Sequence, residues 1–250
     1  MMQYYRFVGL IFVKLLFVGL VFLSPRLWAD NELLLVTHNA PPYSSVSATG
    51  EMQGLSVEVA DLLFENIGMN KKWLLMSRKR VHLFVAKTPN SCVFPSQRNQ
   101  EREASFKWVS PMLITRFAFF SNADSTTSVR TLADLTELRI VSTLGSGVKE
   151  YLDGFGISTM EVVQDEQAAS MLALGRADLW AADVLSAKYL TNFTDITFGK
   201  AFKQQFIFFT SISAMACNRN VSDAMISLFQ SHLSELYRSK KIADIEQKYQ

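Results

Sequence analysis

Two apolar, aromatic-rich runs set the plan of this chain, Trp108 to Phe120 and Phe206 to Cys217. Each outlasts the about six residues of an ordinary strand, so each reads as a long extended segment. One run leads into a middle segment and the other leads out of it, which is what a chain needs to cross between two lobes and return. On that reading residues 30–114 and 213–250 form lobe one, and residues 115–212 form lobe two.

Within both lobes short β-rich runs alternate with helical patterns, the mark of an α/β protein with largely parallel sheets. Strands are expected at Leu33 to His38, Lys72 to Met76, Cys92 to Pro95, Arg139 to Ser142, Met160 to Val163 and Leu179 to Ala182. Leu55, Val59, Leu62, Leu63 and Ile67 recur at helical spacing between Gly54 and Gly68, predicting a helix that buries one face. A second helix is expected from about Asp165 to Leu174, ended by Gly175. Near the C-terminus Met225, Phe229, Leu233 and Leu236 form one apolar stripe, with Ser222 or Asn220 available as its cap. A short last helix is expected over Ile242 to Tyr249. The Ser/Thr-rich stretch Ser121 to Ser128 reads as a loop, and no internal repeat stands out.

Composition narrows the function. With 49% hydrophobic and 19% charged residues the chain can bury a substantial core. Its formal net charge is only +2, with Lys and Arg scattered, so nucleic acid is not an expected partner. The first 29 residues look like a cleavable secretory signal. Arg6 lies in a short polar start, Phe7 to Leu23 are almost all apolar, and Ala29 precedes the expected cut. A retained anchor is the competing reading, but Lys14 interrupts the run and Ser24-Pro25 follows it. Export points to an oxidising periplasm, where Cys92 and Cys217 could form a disulfide or stay as buried thiols.

Four elements carry a resemblance to a family. The first is Ala40-Pro41-Pro42-Tyr43, followed by Gly50 and then Gly54-Leu55-Ser56-Val57-Glu58-Val59. The second is Glu101-Arg102-Glu103 with Phe106, Trp108, Ser110 and Pro111 downstream. Gly145-Ser146-Gly147, directly before a helix at Val148 to Leu152, is the third. The fourth and most specific is Leu174-Gly175-Arg176-Ala177-Asp178-Leu179-Trp180-Ala181-Ala182-Asp183, a turn, a buried strand and a terminal acid. In this order they resemble the small type-II periplasmic binding proteins of the polar-amino-acid family, solute-binding protein family 3.

That resemblance implies a two-lobed α/β fold, each lobe a mixed, mostly parallel sheet flanked by helices, with two crossover strands as a hinge. It implies a monomer that captures an amino acid or related carboxylate and hands it to an ABC permease, without cofactor, metal or catalysis. Arg102 then holds the ligand's carboxylate, since a planar guanidinium donates two parallel charge-assisted bonds. Asp183 accepts from the ligand's ammonium, and Gly145, Ser146 and Gly147 offer backbone N–H groups and a hydroxyl. Tyr43 is a candidate wall for the ligand's side chain. Ser96 and Gln97 stand where the family keeps smaller residues beside the arginine, and Lys87 to Cys92 replace its usual Gly-x-x-Asp turn. Both departures reshape the carboxylate cradle, and Arg78, Arg80 and Arg98 add cationic choices nearby, so a dicarboxylate, a peptide fragment or an aromatic acid also fits.

Structural roles compete at each position. Arg102 could pair on the surface with Glu101 or Glu103, Asp183 could cap the helix starting at Val184, Tyr43 could be core, and Asp178 could serve only its turn. Two functional rivals remain as well: an enzyme on the same scaffold, such as a periplasmic dehydratase, and a ligand sensor uncoupled from transport. His38, His82 and His232 show no metal-ligand spacing, and no Gly-x-Ser-x-Gly elbow is present.

Overall fold

The computed structural model describes residues 32–193 and 201–249. The segment read as a secretory signal lies outside the described residues. Strands β1 (Leu33–His38), β4 (Lys71–Met76) and β5 (Ser91–Gln97) pair in parallel in the first half, around a small hairpin of β2 (Ser45–Val46) and β3 (Met52–Gln53). In the second half β7 (Ile140–Thr143), β8 (Met160–Val162) and β9 (Leu179–Asp183) are likewise parallel. Two long strands, β6 (Lys107–Asn122) and β10 (Phe202–Cys217), run antiparallel to each other between them.

The pairing is the mixed, mostly parallel one expected: eight strands form a single ladder in the order β4-β1-β5-β10-β6-β9-β7-β8, and its middle is antiparallel. The reason is the crossing itself, because β6 and β10 carry the chain in opposite directions. β6 also extends to Asn122, into the stretch expected to be loop.

Helices cover the sheet: α1 (Leu55–Ile67), α2 (Arg78–Lys87), α3 (Gln100–Glu103), α4 (Val148–Asp153), α5 (Asp165–Ala173), α6 (Val184–Phe193), α7 (Asp223–Arg238) and α8 (Lys241–Gln247). Helix α2 has no counterpart in the sequence reading. Only Val81 and Val85 are buried on it, and the basic run Arg78-Lys79-Arg80 masks so thin an apolar stripe. Ser222 settles the cap of α7 by accepting from the Met225 N–H at 3.2 Å.

The apolar side chains gather into separate cores. Leu35, Leu63, Phe64, Phe94, Phe229 and Leu233 pack in the first half. Trp180, Leu172 and Phe120 anchor one core of the second half, and Phe119, Leu152 and Leu179 another. Cys92 and Cys217 face each other on β5 and β10 and are joined by a disulfide inside the first core. The C-terminus returns to that half, where Lys248 Nζ and Tyr249 Oη donate to the Glu58 carboxylate at 2.7 and 2.5 Å.

Candidate functional site

Parallel α/β sheets present side chains at the carboxyl ends of their strands, and both halves do so toward one cleft of about 110 Å³. The first half contributes His38 from the end of β1, Tyr43, Arg78 and His82 from α2, Gln97 from the end of β5, and Arg102 from α3. From the second come Gly145 and Ser146 after β7, Asp165 at the start of α5, and Asp183 and Ser186 at the β9–α6 junction. Thr115 and Phe117 of β6, with Ser211 and Ser213 of β10, line it where the halves join.

Tyr43 owes its position to the turn before α1. The carbonyls of Pro42 and Tyr43 accept the N–H groups of Leu55 and Ser56 at 3.0 and 2.9 Å. Gly54 permits that approach, since its φ is +122° and a Cβ would lie 2.5 Å from the Tyr43 carbonyl oxygen. The phenol so placed donates to Asp183 Oδ1 at 2.9 Å. The same oxygen accepts the Ser186 N–H at 2.9 Å, so Asp183 caps α6 and reaches the opposite half at once. Part of the Asp183 surface looks into the cleft, yet protein atoms surround the carboxyl closely. Burial pushes its pKa up to about 6, against the bonds from Ser186 and Tyr43 that favour the charged form. Burial, with the Asp183 charge second, holds the Tyr43 phenol well above its ordinary value. Asp165 is engaged within its own half by the Thr143 hydroxyl.

The facing wall is basic. Arg102 sits in α3 because Asn99 caps that turn, accepting the Arg102 N–H at 3.1 Å. Its Nη1 reaches the Gln97 carbonyl at 3.4 Å. Glu103, the suspected surface partner, is taken by Arg98, whose Nε and Nη2 donate to it at 2.9 and 2.6 Å while its guanidinium lies 5.6 Å from the Trp108 ring. Among the described residues neither Arg102 nor Arg78 forms an ion pair. Partial burial draws the Arg102 pKa below its usual value. His82 shares a 2.8 Å hydrogen bond with the Ser96 hydroxyl, and burial followed by the Arg102 charge lowers its pKa to about 4. His38 is buried, with Nδ1 unpartnered. Burial first, then Arg78 and His82, hold it well below the usual histidine value. Both imidazoles are therefore neutral near pH 7.

Of the residues singled out from sequence, Tyr43, Gln97, Arg102, Gly145, Ser146 and Asp183 line the cleft together. Ser96 lies behind the lining as the partner of His82. Gly147 presses on Gln97, where a Cβ would stand 2.3 Å from Oε1. Of the extra cations Arg78 lines the cleft, Arg80 is exposed and Arg98 is paired with Glu103. Asp178, expected to serve its own turn, instead accepts the Arg139 N–H at 2.8 Å and the Arg139 guanidinium at 2.8 and 3.0 Å, so that it ties β9 to β7. The sequence reading passed over His38, His82 and Asp165 as cleft groups. His38 ends a strand just before the Pro-Pro-Tyr turn and Asp165 opens a helix after one, positions that could have marked them.

Among the described residues no helix is long and apolar enough to cross a membrane, and no group of three or more His, Cys, Asp or Glu residues is gathered to hold a metal ion. No curated protein matches the chain by sequence. Solved structures share its fold. A histidine kinase sensor domain with similarity to periplasmic binding proteins superposes with a TM-score of 0.77 at 18% identity, over 87% of this chain and 95% of that one. An ancestral arginine-binding protein bound to arginine gives 0.75 at 16% identity, over 88% and 98%. The ancestral amino acid-binding protein AncCDT-1, a precursor of cyclohexadienyl dehydratase, gives 0.74 at 13%, over 88% and 95%. The model of the bacterial extracellular solute-binding proteins, family 3, matches residues 33–250, and the chain belongs to that family.

Proposed function

We propose that this protein is a periplasmic solute-binding protein that captures an amino acid or related carboxylate between its two halves and presents it, closed, to an ABC importer. One observation carries the reading: Arg102, without an ion-pair partner among the described residues, and Asp183 of the other half line the same cleft. A zwitterion satisfies both at once, its carboxylate on the Arg102 fork and its ammonium on Asp183. Closure is favoured because a bridging ligand gains contacts in the closed state that an open one lacks. β6 and β10 serve as the hinge, with the lobe boundaries at 114/115 and 212/213 falling inside them. Family membership and the arginine-binding and amino acid-binding neighbours support this reading.

Thermal-shift titration of the purified protein against amino acids, organic acids and small peptides tests it. A ligand selective for the folded state raises the melting temperature, by about 2.7 kcal/mol of stabilisation at 100 times its Kd. No response to any zwitterion would refute the reading. Catalysis on the same scaffold has one specific support, a buried carboxyl with a pKa of about 6 in a cleft, suited to proton transfer near neutrality. Mass spectrometry of the recovered ligand separates the two, since a binder returns it unchanged.

A further inference from the structure

The cleft's donors and acceptors are not balanced. On the acidic wall both carboxylates are already engaged, Asp183 by Tyr43 and Ser186 and Asp165 by Thr143. Along the basic wall Arg102 accounts for one ligand carboxylate, and that leaves Arg78. Its guanidinium has no ion pair among the described residues, lines the same cleft, and lies beside Gly145, where even a Cβ would come within 3.5 Å of Arg78 Cδ. Next to it His38 lines the cleft and is only 7% exposed.

We infer that Arg78, with His38 beside it, forms a second anion subsite, and that the preferred ligand is an α-amino acid bearing a second carboxylate. This rests on the amino-acid reading above and names its substrate class. The distal carboxylate lies on the Arg78 guanidinium, against the His38 ring. The main carboxylate lies on Arg102 and the ammonium on Asp183. A cationic side chain is disfavoured there, because it would meet the Arg78 guanidinium, a like charge. This separates the chain from its arginine-binding neighbours, with which it shares a fold but little sequence.

Calorimetric titration of the purified protein with L-glutamate, L-aspartate, L-glutamine, L-arginine and succinate tests the inference. One of the two acidic amino acids is expected to bind at least about tenfold tighter than glutamine, arginine or succinate, as a charge-assisted pair requires. Arg78→Gln should remove that advantage, with the circular dichroism spectrum and melting temperature of the unliganded variant showing that it is folded. Arg78→Asp should turn the preference toward arginine. Glutamine or arginine binding as tightly as the acids, or an Arg78→Gln variant that keeps its acid preference, would overturn the second subsite and leave the amino-acid reading intact. Succinate binding as tightly as glutamate would overturn the amino-acid part of the ligand class. Silence from every amino acid would bring down the reading beneath it as well.

Discussion

The two walls of the cleft are built on opposite plans. In the second half the charged groups are satisfied before any ligand arrives, Asp183 by Tyr43 and Ser186 and Asp165 by Thr143. In the first half Arg102 and Arg78 have no ion-pair partner among the described residues, and His38 and His82 beside them are held neutral. One wall is preorganised and the other is waiting. The contrast teaches where ligand energy is gained: a partner for a guanidinium adds a new charge-assisted pair, whereas an ammonium on Asp183 joins a carboxylate that already accepts two bonds.

The largest effect expected from breaking this contrast is at Arg102. Arg102→Ala should weaken binding of the best ligand by about 100-fold or more, because it strands a desolvated carboxylate. Asp183→Ala should weaken it less, and calorimetric affinities for the two variants check the order. Equal losses would mean that the walls are alike.

Acid titration of stability should separate the walls next. The Asp183 pKa is raised to about 6 in the fold against an ordinary value of 3.8. Ionising it in the folded state therefore costs stability, progressively from about pH 4 to 6 and in full above that. Asp183→Asn keeps an acceptor for Tyr43 and Ser186 and should raise unliganded stability on the order of 1–3 kcal/mol near pH 7, with little gain near pH 4. His82 has the opposite sign. Its pKa is lowered to about 4, so its contribution is complete above the unfolded value near 6.5 and is lost as the pH falls toward 4. His82→Gln should flatten acid-side unfolding in that window, measured by chemical denaturation at stepped pH.

The smallest effect is at Tyr43. Tyr43→Phe removes one bond across the cleft and should lower unliganded stability by about 1 kcal/mol, read as a shift in denaturation midpoint.

How much of this could be read from the chain follows from the physics of each part. Strand β1 and helix α1 were legible to their end residues because Gly54 and Gly68 bound α1 and apolar spacing fills it. Arg102 and Asp183 were legible because local motifs surround them. Helix α2 was not, since its burial rests on two valines among basic residues, and with it went His82. The choice between disulfide and free thiols was equally closed to sequence, because Cys92 and Cys217 meet only through the β5–β10 pairing. That Asp183 would bond Tyr43 of the other half was out of reach too, for it depends on how the halves stand across the cleft.

The most direct test of the central claim compares the best amino-acid ligand with its N-acetyl derivative and its α-carboxyl methyl ester. If the α-carboxylate rests on Arg102 and the ammonium on Asp183, each cap should lower affinity by about tenfold or more. A capped ligand that binds as tightly as the free amino acid would contradict it.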